Sequence, residues 1–269
     1  MAQVVVVEHV TKSFIPPQGG EQNNVLRDVS FTLDDGEIVS VIGPTGCGKS
    51  TLLRMIAGII KPDSGRVTIS GREASLSNPA CAVVFQNFNL FPWRTAIKNI
   101  EVGLEAKGVS AEERAKIAES YIALVGLKGF EEYHPHQLSG GMQQRVGLAR
   151  ALAIDPKVIL LDEPFGSVDM LTRDTLRVEV AHILLETKKT ALFVTHNIDE
   201  AIFLSNRIIV LGGRPSNITE TFTVDLPYPR TDDNFLSDKI IKLRMTLKEH
   251  LVRDIPTPGP KTDEVGPHS

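Results

Sequence analysis

The chain is poor in cysteine and tryptophan, carries no excess of positive charge and contains no long apolar run. Its two cysteines, Cys47 and Cys81, are too few for a disulfide framework and lack metal-ligand spacing, so both are read as reduced thiols. Lys and Arg number 29 against 33 Asp and Glu, a net charge of −4, so no basic footprint points to nucleic acid or an anionic lipid surface. No stretch approaches the ~20 apolar residues of a membrane-spanning helix, and the start MAQVVVVEHV lacks the basic residues and apolar core of a secretory signal. A protein that stays in the cytosol is expected. Its 269 residues and 42% hydrophobic content suit one large domain or two closely joined subdomains.

What is present is organised around Val39 to Leu53. A β-branched apolar run ends at Gly43, and Gly43, Pro44, Thr45, Gly46, Cys47, Gly48, Lys49, Ser50 and Thr51 contain the pattern G-x-x-x-x-G-K-[ST]. Gly46 and Gly48 can take backbone angles that turn successive N–H groups onto phosphate oxygens. A helix beginning near Lys49 adds the positive end of its dipole. Lys49 is suited to the β- and γ-phosphates, the Ser50 hydroxyl to Mg²⁺, and Thr51 is a neighbouring donor. The thiol of Cys47 lies within this positive loop and is expected to be activated and accessible.

Before the loop, Val4 to Val10 reads as a strand and Val25 to Leu33 as a half-buried one, turning at Asp34-Asp35-Gly36. Phe14 stands between them, either a core residue or a flat platform for a nucleotide base. After the loop come a helix stopping at Gly58, a strand from Arg66 to Ser70, and a short apolar run from Ala82 to Phe85 that stops at Gln86. This order predicts an α/β sheet with its ligand at the carboxyl ends of the strands.

Asn87 to Ala96 holds Phe88, Leu90, Phe91, Pro92 and Trp93 beside Arg94, a composition that fits a buried loop or a docking surface. Ser110 and Glu113 form the pattern of a capping box for a helix ending at Gly126, with Ile117, Tyr121 and Leu124 as its apolar stripe. Leu138-Ser139-Gly140-Gly141 then opens a second helix N-terminus shaped for an anion, with Ser139 as N-cap. One chain rarely needs two such sites for one phosphate. Val158 to Leu161 is a buried strand ending in Asp162 and Glu163, two carboxylates facing a shared site. Ser167 to Asp169 open a helix running to about Glu186. The strand Ala191 to Thr195 ends at His196, and Arg207 to Leu211 is expected to close the sheet. Thr221 to Arg230 reads as an extended edge segment, Phe235 to Val252 as a helix, and Ile255 to Ser269 as disordered.

In this order, the phosphate loop, Gln86, Leu138 to Gly141, Val158 to Glu163, Ser167 to Asp169 and His196 resemble the ATP-binding-cassette ATPases. The match covers about Val4 to Leu211. The resemblance implies an α/β P-loop NTPase fold with a RecA-like core sheet and a small antiparallel β subdomain. Residues 1–235 would form the ATPase domain, with a helical subdomain at about 87–153, and 236–269 a C-terminal helix and tail. It further implies that Phe14 stacks the adenine of ATP, that Gln86 joins the Mg²⁺ and attacking-water region, and that Asp162 holds Mg²⁺. Glu163 would polarise the water and His196 contact the γ-phosphate. Ser139, Gly140 and Gly141 would act on ATP held by a second subunit of a homodimer, which answers the puzzle of two anion sites.

Phe91 to Arg94 and Leu226-Pro227-Tyr228-Pro229-Arg230 resemble importers of the nitrate, sulfonate and taurine group. Expected partners are membrane-spanning permease subunits and, indirectly, an extracytoplasmic solute-binding protein, with this chain on the cytoplasmic face of the inner membrane. Phe14 stands where Tyr is common, Val168 where Ala or Leu is usual, and Asn197 where Asp is frequent. None of these removes a catalytic group. A cassette of DNA repair or translation is the alternative, but such a protein would usually carry a coiled-coil insertion or a second cassette, and a basic surface.

Overall fold

The structure, a computed structural model, describes residues 2–16, 20–166, 168, 170–230 and 237–253. Ser167, Asp169, Phe235 and the expected tail from Ile255 lie outside the described residues. Three mainly apolar strands, β3 (Ile38–Ile42), β7 (Val158–Asp162) and β8 (Thr190–Val194), are buried at every position. Residues buried on both faces belong in the middle of a parallel sheet, and β3 pairs in parallel with β8, which pairs in parallel with β7. β6 (Cys81–Val84) adds to β7 in parallel, and β9 (Arg207–Gly213) adds to the other side of β3.

Beyond β9 the sheet continues rather than closing. β10 (Ser216–Thr223) pairs antiparallel with β9 and meets β2 (Asn23–Asp34) through Ser216 and Leu26. β2 pairs with β1 (Gln3–Phe14), and β1 with β4 (Ser64–Ile69), which carries the two-residue β5 (Arg72–Glu73). The order β5-β4-β1-β2-β10-β9-β3-β8-β7-β6 therefore makes the antiparallel layer one sheet with the parallel core. The fold corrects two sequence expectations. Arg207 to Leu211 is an interior strand, and the segment expected as an extended edge from Thr221 to Arg230 instead begins as the end of β10, an interior strand that stops at Thr223. The chain beyond Thr223 turns inward: Arg230 is buried, its guanidinium donating to the carbonyls of Ile202, Phe203 and Ser205.

The two-residue period of the core strands separates two hydrophobic cores. Val39, Val41, Leu160, Leu192 and Ile209 face helix α1 (Lys49–Ile56) and the antiparallel strands. Ile38, Ile42, Ile159, Phe193 and Ile208 face the remaining helices. These are α2 (Ala96–Ala106), α3 (Ala111–Leu124), α4 (Gly140–Ala153), α5 (Met170–Thr187), α6 (Ile198–Leu204) and α7 (Asp238–Arg253). Ser110 caps α3 as expected, accepting from Glu113 N at 3.3 Å. The buried face of α3 is Ala118 and Ile122, one position on from the expected stripe, and Ile117, Tyr121 and Leu124 flank it half-buried.

Candidate active site

The loop between β3 and α1 is glycine-dependent for two different reasons. Gly46 has φ 80° and open space around its Cβ position, so its backbone is free to meet a ligand. Gly48, the N-cap of α1, has φ 98°, and a Cβ there would stand 2.7 Å from Val25 Cγ1. No acidic residue occupies the first turn of α1, so the positive end of its dipole is uncompensated. Lys49 is buried and donates to the carbonyls of Gly43 at 2.9 Å and Pro44 at 3.1 Å, which holds its ammonium on the loop. Pro44 and Ser50 are half-buried and Thr45 is exposed. Cys47 departs from expectation: its side chain is 5% exposed and packs in the core of α1 and the antiparallel strands. Its thiol is therefore not the accessible group expected from its place in the loop.

Three adjacent strands, β8, β7 and β6, deliver the other polar groups to the same sheet edge. At the end of β7, Asp162 Oδ1 accepts from the Ser50 hydroxyl at 2.8 Å. Burial pushes the Asp162 carboxyl above its ordinary value, against the opposing pull of the Ser50 bond, Arg54 and Lys49. Glu163 follows at φ 45°, a left-handed conformation that a non-glycine residue adopts only when its surroundings impose it; its N–H donates to Val194 O at 2.8 Å. His196, just past β8, places Nδ1 3.3 Å from Glu163 Oε2. Gln86, two residues past β6, reaches the same point. A Cβ on Gly166 would stand 3.0 Å from Gln86 Nε2 and 3.6 Å from Glu163 Oε2, so the amide and the carboxylate flank that glycine.

Phe14 ends β1 with its ring 40% exposed, as suits a stacking platform rather than a core residue. Asp63 braces it, accepting from Lys12 Nζ at 2.5 Å, Ser13 N at 2.7 Å and Ser13 Oγ at 2.6 Å. These bonds, that of Lys12 foremost, bring the Asp63 carboxyl down to about 2. Lys12 Nζ also lies 5.4 Å from the Phe14 ring centroid.

Ser139 caps α4, accepting from Met142 N at 3.3 Å; Ser139 and Gly140 are exposed and Gly141 is buried. α4 packs on α2, α3, α5 and β6, whereas α1 packs on β4, β7 and β8. The second anion-shaped helix terminus thus belongs to a different packing layer from the first.

Ser50 and Asp162 are hard oxygen donors suited to Mg²⁺. Among the described residues no group of three or more His, Cys, Asp or Glu could hold a metal by itself, so a cation here would take most of its ligands from phosphate and water.

Residues 26–166 match the sequence pattern of the ABC transporter family. An uncharacterized ABC transporter ATP-binding protein of Methanocaldococcus jannaschii is 44% identical over 251 residues, which cover 93% of each chain. The chain belongs to the ABC transporter family. Two further relatives are the nitrate import ATP-binding protein NrtC of Synechococcus elongatus, 45% identical, and the bicarbonate transport ATP-binding protein CmpC of Synechocystis, 46% identical. Each match covers 86% of this chain but 35% of the relative, so the chain spans about a third of those proteins. A dimeric ATP-binding cassette, MJ0796, in a post-hydrolysis state bound to ADP and Pi is 35% identical with a TM-score of 0.72, over 83% of this chain and 100% of that one.

The ABC chain is an ATPase with a P-loop α/β fold, as its motifs imply. No helix among the described residues is long and apolar enough to cross a membrane. Sequence reasoning missed three features of the site: Asp63, Gly166 and the Thr195–Glu200 bond of 2.5 Å beside His196. The last had a visible signal, since Glu200 is an acid leading directly into the apolar run Ala201 to Leu204.

Proposed function

We propose that the chain is the ATP-hydrolysing subunit of a membrane importer for a small solute such as nitrate, a sulfonate or taurine. The observation that carries this reading is the convergence of Lys49, Ser50, Gln86, Asp162, Glu163 and His196 on one sheet edge, with Ser139 exposed on a separate layer. Phe14 stacks the adenine, and Gly43 to Thr51 wrap the phosphates with backbone amides. Lys49 exchanges its loop carbonyls for the β- and γ-phosphates. Ser50 and Asp162, with Gln86 nearby, would hold Mg²⁺, which when bound would add positive charge where negative charge gathers. Glu163 orients and polarises the attacking water, and His196 bridges that carboxylate to the γ-phosphate. Phosphoryl transfer needs little covalent help, so positioning and charge are most of the catalysis.

In this reading each site is completed by Ser139, Gly140 and Gly141 of a second copy in a head-to-tail dimer. Residues 1–235 act as the ATPase domain, and residues 87–153 move as a helical subdomain, carrying Ser139 toward the partner's nucleotide. Trp93 is 72% exposed and packs at a tilt against Phe91, with ring centroids 5.5 Å apart, beside a groove of about 410 Å³ lined by Leu76, Phe85, Asn89, Phe91, Val102 and Arg150. A permease helix seated there would move with Gln86, coupling hydrolysis to transport at the cytoplasmic face of the inner membrane. A solute-binding protein outside would set specificity. The names of NrtC and CmpC support an importer of small anions; no observation favours DNA repair or translation. Uptake of labelled nitrate, sulfonate and taurine by cells carrying the wild-type chain or Lys49→Ala tests it. Loss of uptake of one of them in the variant is expected, and unchanged uptake of all three contradicts the reading.

A further inference from the structure

Across the His196 peptide runs a short chain of hydrogen bonds that phosphoryl transfer itself does not use. Thr195, 2% exposed, donates its hydroxyl to Glu200 Oε2 at 2.5 Å, and the same hydroxyl oxygen accepts from Asn197 N at 3.0 Å. Asn197 Oδ1 in turn accepts from Asp199 N at 2.8 Å and Glu200 N at 3.2 Å. The residues on both sides of His196 are thereby fixed to the first turn of α6.

α6 is itself held at both ends. Arg244 of α7 reaches Asp199 at 2.6 Å, and Arg230 caps the carbonyls of Ile202, Phe203 and Ser205. Glu200 is 5% exposed, and an apolar residue could fill its place without the cost of removing a carboxylate from water. Burial pushes its carboxyl upward, although the Thr195 bond, Arg173, His196 and Arg177 oppose the shift. A buried acid kept at that cost, beside a histidine that contacts Glu163, calls for a task that packing alone does not supply.

We propose that Thr195 and Glu200 are positioning residues that fix the backbone of His196 so that its ring meets both Glu163 and the γ-phosphate. The inference rests on the role proposed for His196 at the γ-phosphate. Nothing in it requires either residue to touch ATP. Removing the bond should let the imidazole drift while the fold and the nucleotide pocket stay as they are. A displacement of about 1 Å at a reacting group can cost on the order of a hundredfold in rate.

The test uses the full chain and compares Thr195→Val, Thr195→Ser, Glu200→Ala, Glu200→Gln and His196→Ala in steady-state ATP hydrolysis, ATP binding and thermal unfolding. Thr195→Val keeps the shape of the side chain and loses both bonds; Thr195→Ser keeps both, and Glu200→Gln keeps an acceptor. For Thr195→Val and Glu200→Ala the expected result is a kcat lower by about tenfold or more, with KM for ATP within about twofold. Thr195→Ser and Glu200→Gln should recover most of kcat. The double variant Thr195→Val with Glu200→Ala should lose no more than its worse single parent. A Thr195→Val enzyme with wild-type kcat overturns the inference, as does failure of Thr195→Ser to rescue, or a loss that tracks unfolding. If His196→Ala is inactive while Thr195→Val is unimpaired, only the positioning role falls. If His196→Ala hydrolyses ATP normally, the role of His196 falls, and this inference with it.

Discussion

Glu163 joins a left-handed backbone to a histidine contact at the sheet edge where Lys49, Ser50 and Asp162 also meet. Its backbone sits at φ 45°, a conformation costing about 1–3 kcal/mol, and its Oε2 lies 3.3 Å from the His196 ring. Glu163→Gln preserves size while removing the charge that polarises water. It should bind ATP normally and lose about a hundredfold or more in turnover, read as phosphate release beside nucleotide binding. Normal turnover would remove Glu163 from the mechanism. Asp162 makes a prediction about stability. Its folded pKa lies above the ordinary 3.8 because of burial, so the folded chain binds the proton more tightly than the unfolded one. The ionised form therefore costs stability, and that cost sets in as pH rises from about 3.8 through the folded value and persists at neutral pH. Asp162→Asn should raise Tm of the nucleotide-free chain at pH 7, and should weaken Mg²⁺-dependent hydrolysis. A lower Tm in calorimetry would contradict the desolvation argument.

At the scale of elements, the phosphate loop depends on how α1 begins. Gly48→Ala would force a Cβ into a position 2.7 Å from Val25 Cγ1 at φ 98°, so both sterics and backbone oppose it. Loss of nucleotide binding is expected, with destabilisation of about 1–3 kcal/mol in denaturant unfolding; unimpaired binding would show that the loop can be rebuilt around a side chain. The parallel strands were legible because burial on both faces leaves unbroken apolar runs, as in Val158 to Leu161. α1 and α4 were legible from their glycine-marked starts. α2 was not: its buried positions include Asn99 and Glu101, which blur the helical period. Asn99 donates to the carbonyls of Phe91, Arg94 and Thr95, and Glu101 pairs with Lys98 and Arg114, partners that only the fold supplies. β10 misled for a similar reason, since polar Ser216 to Thr223 is interior to the sheet only because β9 and β2 flank it. In the site, residue types marked Lys49, Asp162, Glu163 and His196, whereas the direction of the Cys47 thiol and the Thr195–Glu200 bond depend on packing that spacing does not reveal. The aromatic stretch after Gln86 divides: Phe88 is buried in the core, while Trp93 is exposed. Trp93→Ala should leave ATP hydrolysis by the isolated chain within about twofold of wild type and reduce assembly with the permease, since truncating an exposed aromatic removes contact area without opening a cavity. Undiminished assembly on co-expression would move the docking surface elsewhere.

At the scale of the whole molecule, the separation of Lys49 and Ser139 onto different layers is the feature with the widest consequence. If both act on one ATP, they come from different copies, and neither chain has a complete site. The most direct measurement mixes Lys49→Ala with Ser139→Arg and monitors ATP binding and turnover of the heterodimer. One of its composite sites carries both defects and the other carries neither, although each parent homodimer has two defective sites. The account predicts ATP binding at the intact composite site, with turnover restored to at most about half of wild type per dimer, and less where the two sites are coupled. A mixture shown to form heterodimers, yet binding no ATP at an intact composite site, would contradict it.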